Sequence, residues 1–186
     1  MRIIIINDKE NKVVSTEILN ESLKNFFLGR KLDIDLIEVS RVDTAPCMGC
    51  FSCWIKTPGE CVIKDKIEEI NMKIINCDLV IYVTPIVFGQ YGRNMKNVID
   101  RGLHKVLPFF KKYGGRTVHP PRYDKYPVEY VIGCAHGSQK DGIEIFLDTH
   151  KKYRREIKKV YICERQEEIS GILEKIFMEV EKHEKN

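Results

Sequence analysis

The sequence predicts a three-layer α/β sandwich, in which a five-stranded parallel sheet lies between two layers of helices. Aliphatic segments of strand length alternate with segments of helical spacing along the 186 residues. The first aliphatic segment, Ile3 to Ile6, is apolar at every position, which is typical of a parallel strand buried on both faces. Because crossovers between parallel strands are right-handed, few topologies remain, and the order 2-1-3-4-5 is one of the two common ones.

The strands and helices are expected to follow one another in regular order. Strands are predicted at residues 2–6, 34–39, 79–83, 128–133 and 158–163. The first helix is expected between a cap at Ser15 or Thr16 and a stop at Gly29. The other helices are predicted at residues 67–75, 93–103, 141–153 and 169–180.

The length suits a single domain, residues 1–186, with two segments outside the alternating pattern. These are a cysteine-rich loop at 45–62 and a loop insertion at 104–127, whose prolines and paired glycines exclude a long regular element. No apolar run approaches the roughly 20 residues of a membrane helix. The net charge is +4, and no nucleic-acid recognition motif accompanies it. We therefore expect a cytoplasmic protein that binds neither a membrane nor a nucleic acid.

Four of the seven cysteines are clustered, with the spacing C-x2-C-x2-C-x7-C at Cys47, Cys50, Cys53 and Cys61. Two-residue gaps let successive thiolates turn toward one centre, and clustered soft thiolates select Fe–S, zinc or Cu(I). Three close cysteines and one more distant favour an iron–sulfur cluster over structural zinc, whose ligands more often form two separated pairs. Structural zinc, free thiols and a redox disulfide remain alternatives, because spacing alone does not show whether the four sulfurs converge.

Three stretches in matching order resemble a known group of proteins. They are Cys47 to Asp65 with its Trp54-x-Lys56-Thr57-Pro58-Gly59 core, Thr84 to Gln90 followed by Lys96 and Asp100-Arg101, and Gly115 to Tyr123 with His119-Pro120-x-Arg122. Together they are similar to the iron–sulfur flavoproteins and their relatives in the NAD(P)H-dependent FMN reductase family. The resemblance covers most of the chain.

The resemblance implies a flavodoxin-like fold, bound FMN and assembly as a homodimer or homotetramer. It also implies electron transfer between NAD(P)H, or a reduced carrier such as ferredoxin, and an acceptor. In iron–sulfur flavoproteins a compact four-cysteine motif holds a [4Fe-4S] cluster. By that similarity the cluster ligands here would be Cys47, Cys50, Cys53 and Cys61.

The loop after the third strand resembles the family's flavin loop, and it lies on the side of the sheet where this fold binds ligands. The flavin contacts expected from it are Thr84, Pro85, Ile86, Val87, Phe88, Gly89 and Gln90. Pro85 stiffens the exit from the strand, Gly89 lets the backbone approach a ring, and the Gln90 amide is a hydrogen-bonding group for the flavin. Phe88 is expected either to pack on the flavin or to lie in the core.

The loop after the first strand departs from the family pattern. Relatives carry a Gly-Ser-Pro-Arg motif and a Gly-Asn-Thr-like turn, whose N–H groups and hydroxyls hold the FMN phosphate at a helix N-terminus. Here residues 7–16 contain no glycine, and Asp8 and Glu10 would repel a phosphate. An ordinary polar loop is one interpretation, and a reshaped phosphate site is the other. The phosphate ligands of a reshaped site would be Lys9, Lys12, Ser15 and Thr16.

Two further positions differ from the relatives. Asp65 is followed by Lys66 where a second Asp is common, so Asp65 is interpreted as a helix cap. After the fourth strand, Cys134 precedes Ala135 and His136 where a Cys-Gly-Phe-Pro-like turn is common. Cys134 is predicted to contact the flavin, and His136 either tunes the flavin or faces solvent.

Three functions fit these features. The leading hypothesis is an FMN-dependent oxidoreductase or electron-transfer flavoprotein with a [4Fe-4S] cluster on the four-cysteine loop. The second is an FMN or quinone reductase without a cluster. The third is a non-catalytic paralogue that has lost FMN and acts as a partner subunit. The first loop favours the third function, whereas the cysteines and the loop at Thr84 to Gln90 favour the first two.

Overall fold

The computed structural model describes residues 1–27, 32–135, 140–153 and 157–184. In chain order its elements are β1 (Arg2–Asp8), α1 (Thr16–Phe27), β2 (Asp33–Val39), α2 (Ser52–Ile55), α3 (Lys66–Ile75), β3 (Leu79–Val87), β4 (Gln90–Tyr91), α4 (Arg93–Asp100), β5 (Lys111–Tyr113), β6 (Arg116–Val118), β7 (Val128–Cys134), α5 (Lys140–Tyr153), β8 (Ile157–Cys163) and α6 (Ile169–Glu184).

The central sheet is parallel and has the order β2-β1-β3-β7-β8, which confirms the predicted order 2-1-3-4-5. Strand β1 lies between β2 and β3, with Ile3 opposite Ile34 on one side and Leu79 on the other. This central position explains why β1 is aliphatic on both faces.

Alternation along β1 divides the core into two halves. Ile3 and Ile5 point to the face covered by α1 and α6, and Ile4 and Ile6 point to the face covered by α3, α4 and α5. All four side chains are fully buried. The two helical layers therefore cover the two faces of the sheet, as a three-layer sandwich requires.

The structure differs from the sequence-based expectation at three places. Strand β3 continues through Pro85 to Val87 and turns back into the short antiparallel strand β4. Helix α4 ends at Asp100, and a 3₁₀ turn over Arg101–Lys105 replaces its expected last turn. The insertion at 104–127 contains the two-stranded β5–β6 hairpin. The expected helix stop at Gly29 lies outside the described residues.

None of the described helices combines the length and the apolar character that crossing a bilayer requires. Cys77 and Cys163 are buried, as small apolar side chains are. Asp65 caps α3, since its side chain accepts a hydrogen bond from the Ile67 N–H at 3.1 Å.

Candidate functional site

The four clustered cysteines line one cavity. Its wall is completed by Met48, Phe51, Val62, Ile63, Arg101 and Leu103. All four cysteines are free thiols, with Cys47 and Cys50 exposed and Cys53 and Cys61 half-buried. The structure thus brings together, around one space, the four residues that the spacing had singled out.

Two residues in the left-handed region turn the chain around this cavity. Gly49 has φ +65° and Phe51 has φ +54°, so the backbone reverses between Cys47 and Cys53. Gly49 adopts this conformation without steric cost, whereas Phe51 adopts it as the N-cap of the short helix α2. Each two-residue gap between the first three cysteines therefore contains one left-handed residue.

Trp54 fixes α2 to the rest of the fold. Its indole N–H donates to the carbonyl oxygens of Leu103 and Val106, at 3.1 and 2.9 Å. Its ring packs against Phe51 and His119, with ring centroids 5.4 and 4.9 Å apart. The cysteine segment is therefore held by the 3₁₀ turn after α4 and by the 104–127 insertion.

Arg101 connects both ends of the cysteine segment. Its guanidinium is almost fully buried and pairs with Asp65, the cap of α3. A second guanidinium nitrogen donates to the Ile63 carbonyl at 2.7 Å and to the Cys61 Sγ at 3.4 Å. The first nitrogen also reaches the Ala45 carbonyl at 3.4 Å. One buried cation thereby holds the chain before and after the cavity and places positive charge beside a thiol.

The four thiols influence one another electrostatically. Burial, followed by the nearby Cys61, Cys47 and Cys50, raises the pKa of Cys53. Hydrogen bonds from Ser52 lower the pKa of Cys50, which favours its thiolate. The Cys61 N–H donates to the Glu68 carboxylate at 3.2 Å. Because like charges around the cavity repel, a bound cation or cationic cluster would stabilise the thiolates.

Cysteines form two kinds of metal site, those that hold a single ion and those that hold an iron–sulfur cluster. Within the described ranges, no three His, Cys, Asp or Glu side chains converge closely enough to hold a single metal ion. A [4Fe-4S] cluster holds its four ligands on separate irons and therefore spaces them more widely than one ion does. If a cluster were bound, the four thiols that line the cavity would be its ligands, and the Arg101 guanidinium would donate a hydrogen bond to one of their sulfurs.

A larger cavity, of about 800 Å³, adjoins the cysteine cavity, and Leu103 lines both. Its wall includes His119 and Tyr126 from the 104–127 insertion and Glu129 from the start of β7. The sequence contains no signal for it, because its walls come from four separate segments.

The first loop, residues 9–15, has an unexpected anchor in Asp8. This carboxylate is fully buried and accepts hydrogen bonds from the Asn94 side chain at 2.8 Å and the Met95 N–H at 3.3 Å. It also accepts from the Glu10 N–H at 3.0 Å. The N-cap of α4 is Gly92, which has no side chain for capping, so Asp8 performs that role from β1. Burial raises the pKa of Asp8, although these hydrogen bonds oppose the shift.

Three of the four predicted phosphate ligands interact with carboxylates of the chain, and the fourth, Lys12, is exposed. The Thr16 hydroxyl donates to Glu38 Oε1 at 2.6 Å, and Lys9 Nζ lies 3.6 Å from Glu38 Oε2. The Ser15 hydroxyl donates to the carboxylate of Glu17 and thereby lowers the pKa of Glu17. Glu38 lies in β2, and the sequence had given no reason to place it against the first loop.

The loop predicted to contact the flavin is a β-hairpin with two left-handed residues at its tip. Phe88 has φ +49° and Gly89 has φ +74°, as a two-residue hairpin turn requires. Phe88 is 96% exposed, which rules out the core position considered for it, and Val87 is 43% exposed. Gln90 is also exposed.

The inner residues of this hairpin are packed and hydrogen-bonded within the fold. Thr84 and Ile86 are buried, Pro85 is half-buried, and the Thr84 hydroxyl accepts from the Gly92 N–H at 3.0 Å. Gly89 faces α5, where an added Cβ would lie 2.5 Å from a side-chain carbon of Ile145. The close approach predicted at Gly89 is thus to a helix.

Cys134 faces the core at the carboxyl end of β7. It is buried beside Cys163, its neighbour in the sheet, and interacts with the Asn11 side chain. The hydrogen bond with the Cys163 thiol, followed by burial, raises the pKa of Cys134. His136, the other residue predicted near a flavin, lies outside the described residues.

The strand order and the loops at the carboxyl ends of its strands define a flavodoxin-like α/β protein. Within that class the chain belongs to the NADPH-dependent FMN reductase family, whose sequence profile matches residues 1–141.

The chain is also similar to curated proteins named as iron-sulfur flavoproteins. An iron-sulfur flavoprotein of Methanocaldococcus jannaschii is 28% identical over 101 residues, which are 54% of this chain and 51% of that protein. An iron-sulfur flavoprotein of Archaeoglobus fulgidus is 31% identical over 104 residues, which are 54% of this chain and 48% of that protein. The chain therefore spans about half the length of these curated relatives.

A solved NAD(P)H:quinone oxidoreductase from Methanothermobacter marburgensis has a similar fold. The TM-score is 0.55 at 11% identity, and the match covers 87% of this chain and 82% of that one.

Proposed function

We propose that this chain is an FMN-dependent oxidoreductase or electron-transfer flavoprotein with a [4Fe-4S] cluster on Cys47, Cys50, Cys53 and Cys61. The observation that carries the proposal is that four free thiols line one cavity in a chain of the FMN reductase family. Two matched relatives named as iron-sulfur flavoproteins support the cluster.

The flavin would be held at the β3–β4 hairpin. Val87, Phe88 and Gln90 are its accessible residues, and Pro85 is half-buried behind them. Thr84, Ile86 and Gly89 act by holding the hairpin against α4 and α5. When bound, FMN supplies the hydride and single-electron chemistry that no side chain of the protein provides.

The chain's own residues would tune the cluster. Arg101 donates a charge-assisted hydrogen bond to the Cys61 sulfur, and hydrogen bonds to cluster sulfurs raise reduction potential. The wall residues Met48, Phe51 and Val62 provide an apolar boundary on the solvent side. Helix α4 separates the two sites, with Asn94 at its start and Arg101 directly after its end, and its eight residues span about 12 Å.

The proposed electron donor is a nicotinamide, NADPH or NADH, or a reduced carrier such as ferredoxin. Family membership supports the nicotinamide. We further propose a homodimer or homotetramer as the working assembly.

The test is an ultraviolet–visible spectrum with iron and flavin analysis on protein purified without oxygen. We expect resolved flavin bands over a broad iron–sulfur shoulder and about four irons per chain. Cys53→Ser is expected to remove nearly all the iron, because it deletes a ligand from the cavity wall. The matched control is Cys77→Ser, since Cys77 is buried elsewhere in the core.

Each other outcome has a specific meaning. Flavin without iron would favour a reductase without a cluster. A colourless protein that takes up no added flavin would contradict the proposal and favour a non-catalytic partner subunit. Equal iron loss in Cys53→Ser and Cys77→Ser would contradict the proposal that the four-cysteine cavity holds the iron.

A further inference from the structure

We infer that the flavin site of this chain does not recognise the 5′-phosphate, so that it accepts riboflavin and FMN alike. This inference rests on the proposed function, because it concerns how the proposed flavin is held. It is carried by the first loop, where donors that a phosphate needs are already used by the chain itself.

Seven of the ten backbone N–H groups from Lys9 to Ile18, around the start of α1, have acceptors within the described residues. The Asn11 Oδ1 accepts from the N–H groups of Val13 and Val14, at 3.1 and 3.2 Å. Five more N–H groups of this segment donate within the chain. Lys9 donates to Val39 O, Glu10 to Asp8 Oδ1 and Asn11 to Asp8 O. Glu17 donates to its own carboxylate and Ile18 to Ser15 Oγ. A phosphate-binding helix N-terminus instead leaves such groups free to point at the anion.

The loop cannot reorganise into a cradle without losing core contacts. Val14 is fully buried and Val13 is 8% exposed, and both belong to the core on the α1 and α6 side of the sheet. Uncovering the Val13 and Val14 N–H groups would withdraw two apolar side chains from that core.

The hydroxyls of Ser15 and Thr16 and one of the two lysines, Lys9, interact with carboxylates, whereas Lys12 is exposed. Glu38 accepts from Thr16 at 2.6 Å and lies 3.6 Å from Lys9 Nζ. Ser15 serves Glu17 in the same way. A phosphomonoester carries roughly −1.5 to −2 charges at pH 7, and it would have to displace these carboxylates while being repelled by them.

Two buried acceptors remain without a donor at this end of the sheet. They are the amide oxygens of Asn7 and Asn94, to which no hydrogen bond is donated within the described residues. The Asn11 amide nitrogen also lacks an acceptor in hydrogen-bond geometry, but it lies against the Cys134 thiol. Amide oxygens match the hydroxyl groups of a ribityl chain, which donate, and do not match a phosphate, which only accepts.

The test measures dissociation constants of riboflavin and FMN for the flavin-free full chain, by quenching of flavin fluorescence. For the unchanged chain we expect the two constants to agree within about threefold, with FMN the weaker ligand. Raising the salt concentration from about 20 mM to about 300 mM should lower the dissociation constant of FMN, because salt screens the repulsion of its phosphate, and should leave that of riboflavin unchanged.

Glu38→Gln tests the residue that the inference singles out. The amide keeps an acceptor for the Thr16 hydroxyl and removes the charge, so FMN should bind about two- to fivefold more tightly while riboflavin does not change. The matched control is Glu174→Gln, an exposed position of α6, which should change neither constant.

The outcomes separate the inference from the proposed function. FMN binding more than about tenfold tighter than riboflavin, and weakened by salt, would overturn the inference and leave the proposed function standing. An unchanged FMN constant in Glu38→Gln would also overturn it. Failure of both flavins to bind would overturn the proposed function, and the inference with it.

Discussion

Two loops leave neighbouring strands of the sheet, and they use their polar atoms in opposite ways. The first loop, residues 9–15 after β1, pairs its N–H groups and hydroxyls with its own residues and with Glu38. The cysteine segment, Cys47 to Cys61 after β2, leaves four thiols facing a cavity and is held by Arg101 and Trp54 from other elements. A segment that leaves reactive atoms free has to be positioned by its neighbours, whereas a segment that positions itself has few groups left for a ligand.

The charges of the two regions follow the same division. Around the first loop, the anions Asp8 and Glu38 are held by dipoles and by the exposed Lys9. Around the cysteine segment, the buried cation Arg101 lies against a thiol and the Asp65 carboxylate. The first arrangement repels an anion, and the second stabilises thiolates.

The largest expected effect concerns the external support of the cysteine segment. Arg101→Gln leaves Asp65 without its cation and removes the donor to Cys61. Breaking a buried ion pair costs about 3–5 kcal/mol, and since Asp65 is partly exposed we expect the free energy of unfolding to fall by about 3 kcal/mol. Urea denaturation measures this loss.

The surface pair of Lys96 and Asp100, on α4 just before Arg101, provides the control. Lys96→Gln breaks the exposed Lys96–Asp100 contact and should cost less than about 0.5 kcal/mol. If the two variants lost the same stability, Arg101 would not be the element that holds the segment.

The second-largest expected effect is a pH dependence of stability that comes from His104, beside the cysteine segment. His104 is fully buried next to Gly59, and burial, followed by Lys105, Arg122 and Arg101, lowers its pKa to about 4. Because the unfolded chain binds a proton on this histidine below about pH 6.5, stability should be lost as the pH falls from there toward 4.

The measurement compares unfolding free energies at pH 7.5 and 4.5. Between these values the unchanged chain should lose about 2–3 kcal/mol more than His104→Gln, which has no proton to take up. An identical pH dependence in the two proteins would show that the imidazole is accessible to water or to a proton acceptor.

The same comparison shows how far sequence reasoning reaches. The aliphatic runs at Ile3 to Ile6 and Leu79 to Val83 predicted the strands and their order, because burial on both faces leaves a local pattern. The cysteine spacing identified the four residues that line the cavity, because they are close in sequence, but spacing alone did not show whether their sulfurs converge.

The sequence did not predict the contacts that join distant segments. Asp8 was expected only to repel a phosphate from the first loop, but it caps α4 by accepting from the Met95 N–H, 87 positions further along the chain. Glu38 and Arg101 were missed because their partners come from other elements, and a strand or helix residue carries no local signal for such a partner. The short strand β4 was missed because two residues are too few for a periodicity.

The smallest expected effect tests the first loop at its anchor. Burial raises the pKa of Asp8, so its contribution to stability is complete below pH 3.8 and is lost as the pH rises through the shifted pKa. Asp8→Asn keeps one acceptor oxygen for Asn94 or Met95 and carries no charge. At pH 7 the variant should lie within about 1 kcal/mol of the unchanged chain, because a lost hydrogen bond offsets the relief of a buried charge.

The sign of the pH dependence distinguishes this anchor from His104. As the pH rises from about 4 to 7, the stability of Asp8→Asn should improve relative to the unchanged chain, whereas His104→Gln should lose relative stability over the same range. Thermal unfolding of all three proteins at matched pH values measures both trends. A fall in the relative stability of Asp8→Asn with rising pH would mean that the N-terminus of α4 stabilises the carboxylate more than burial penalises it. The anchor of the first loop would then be a favourable ion–dipole contact.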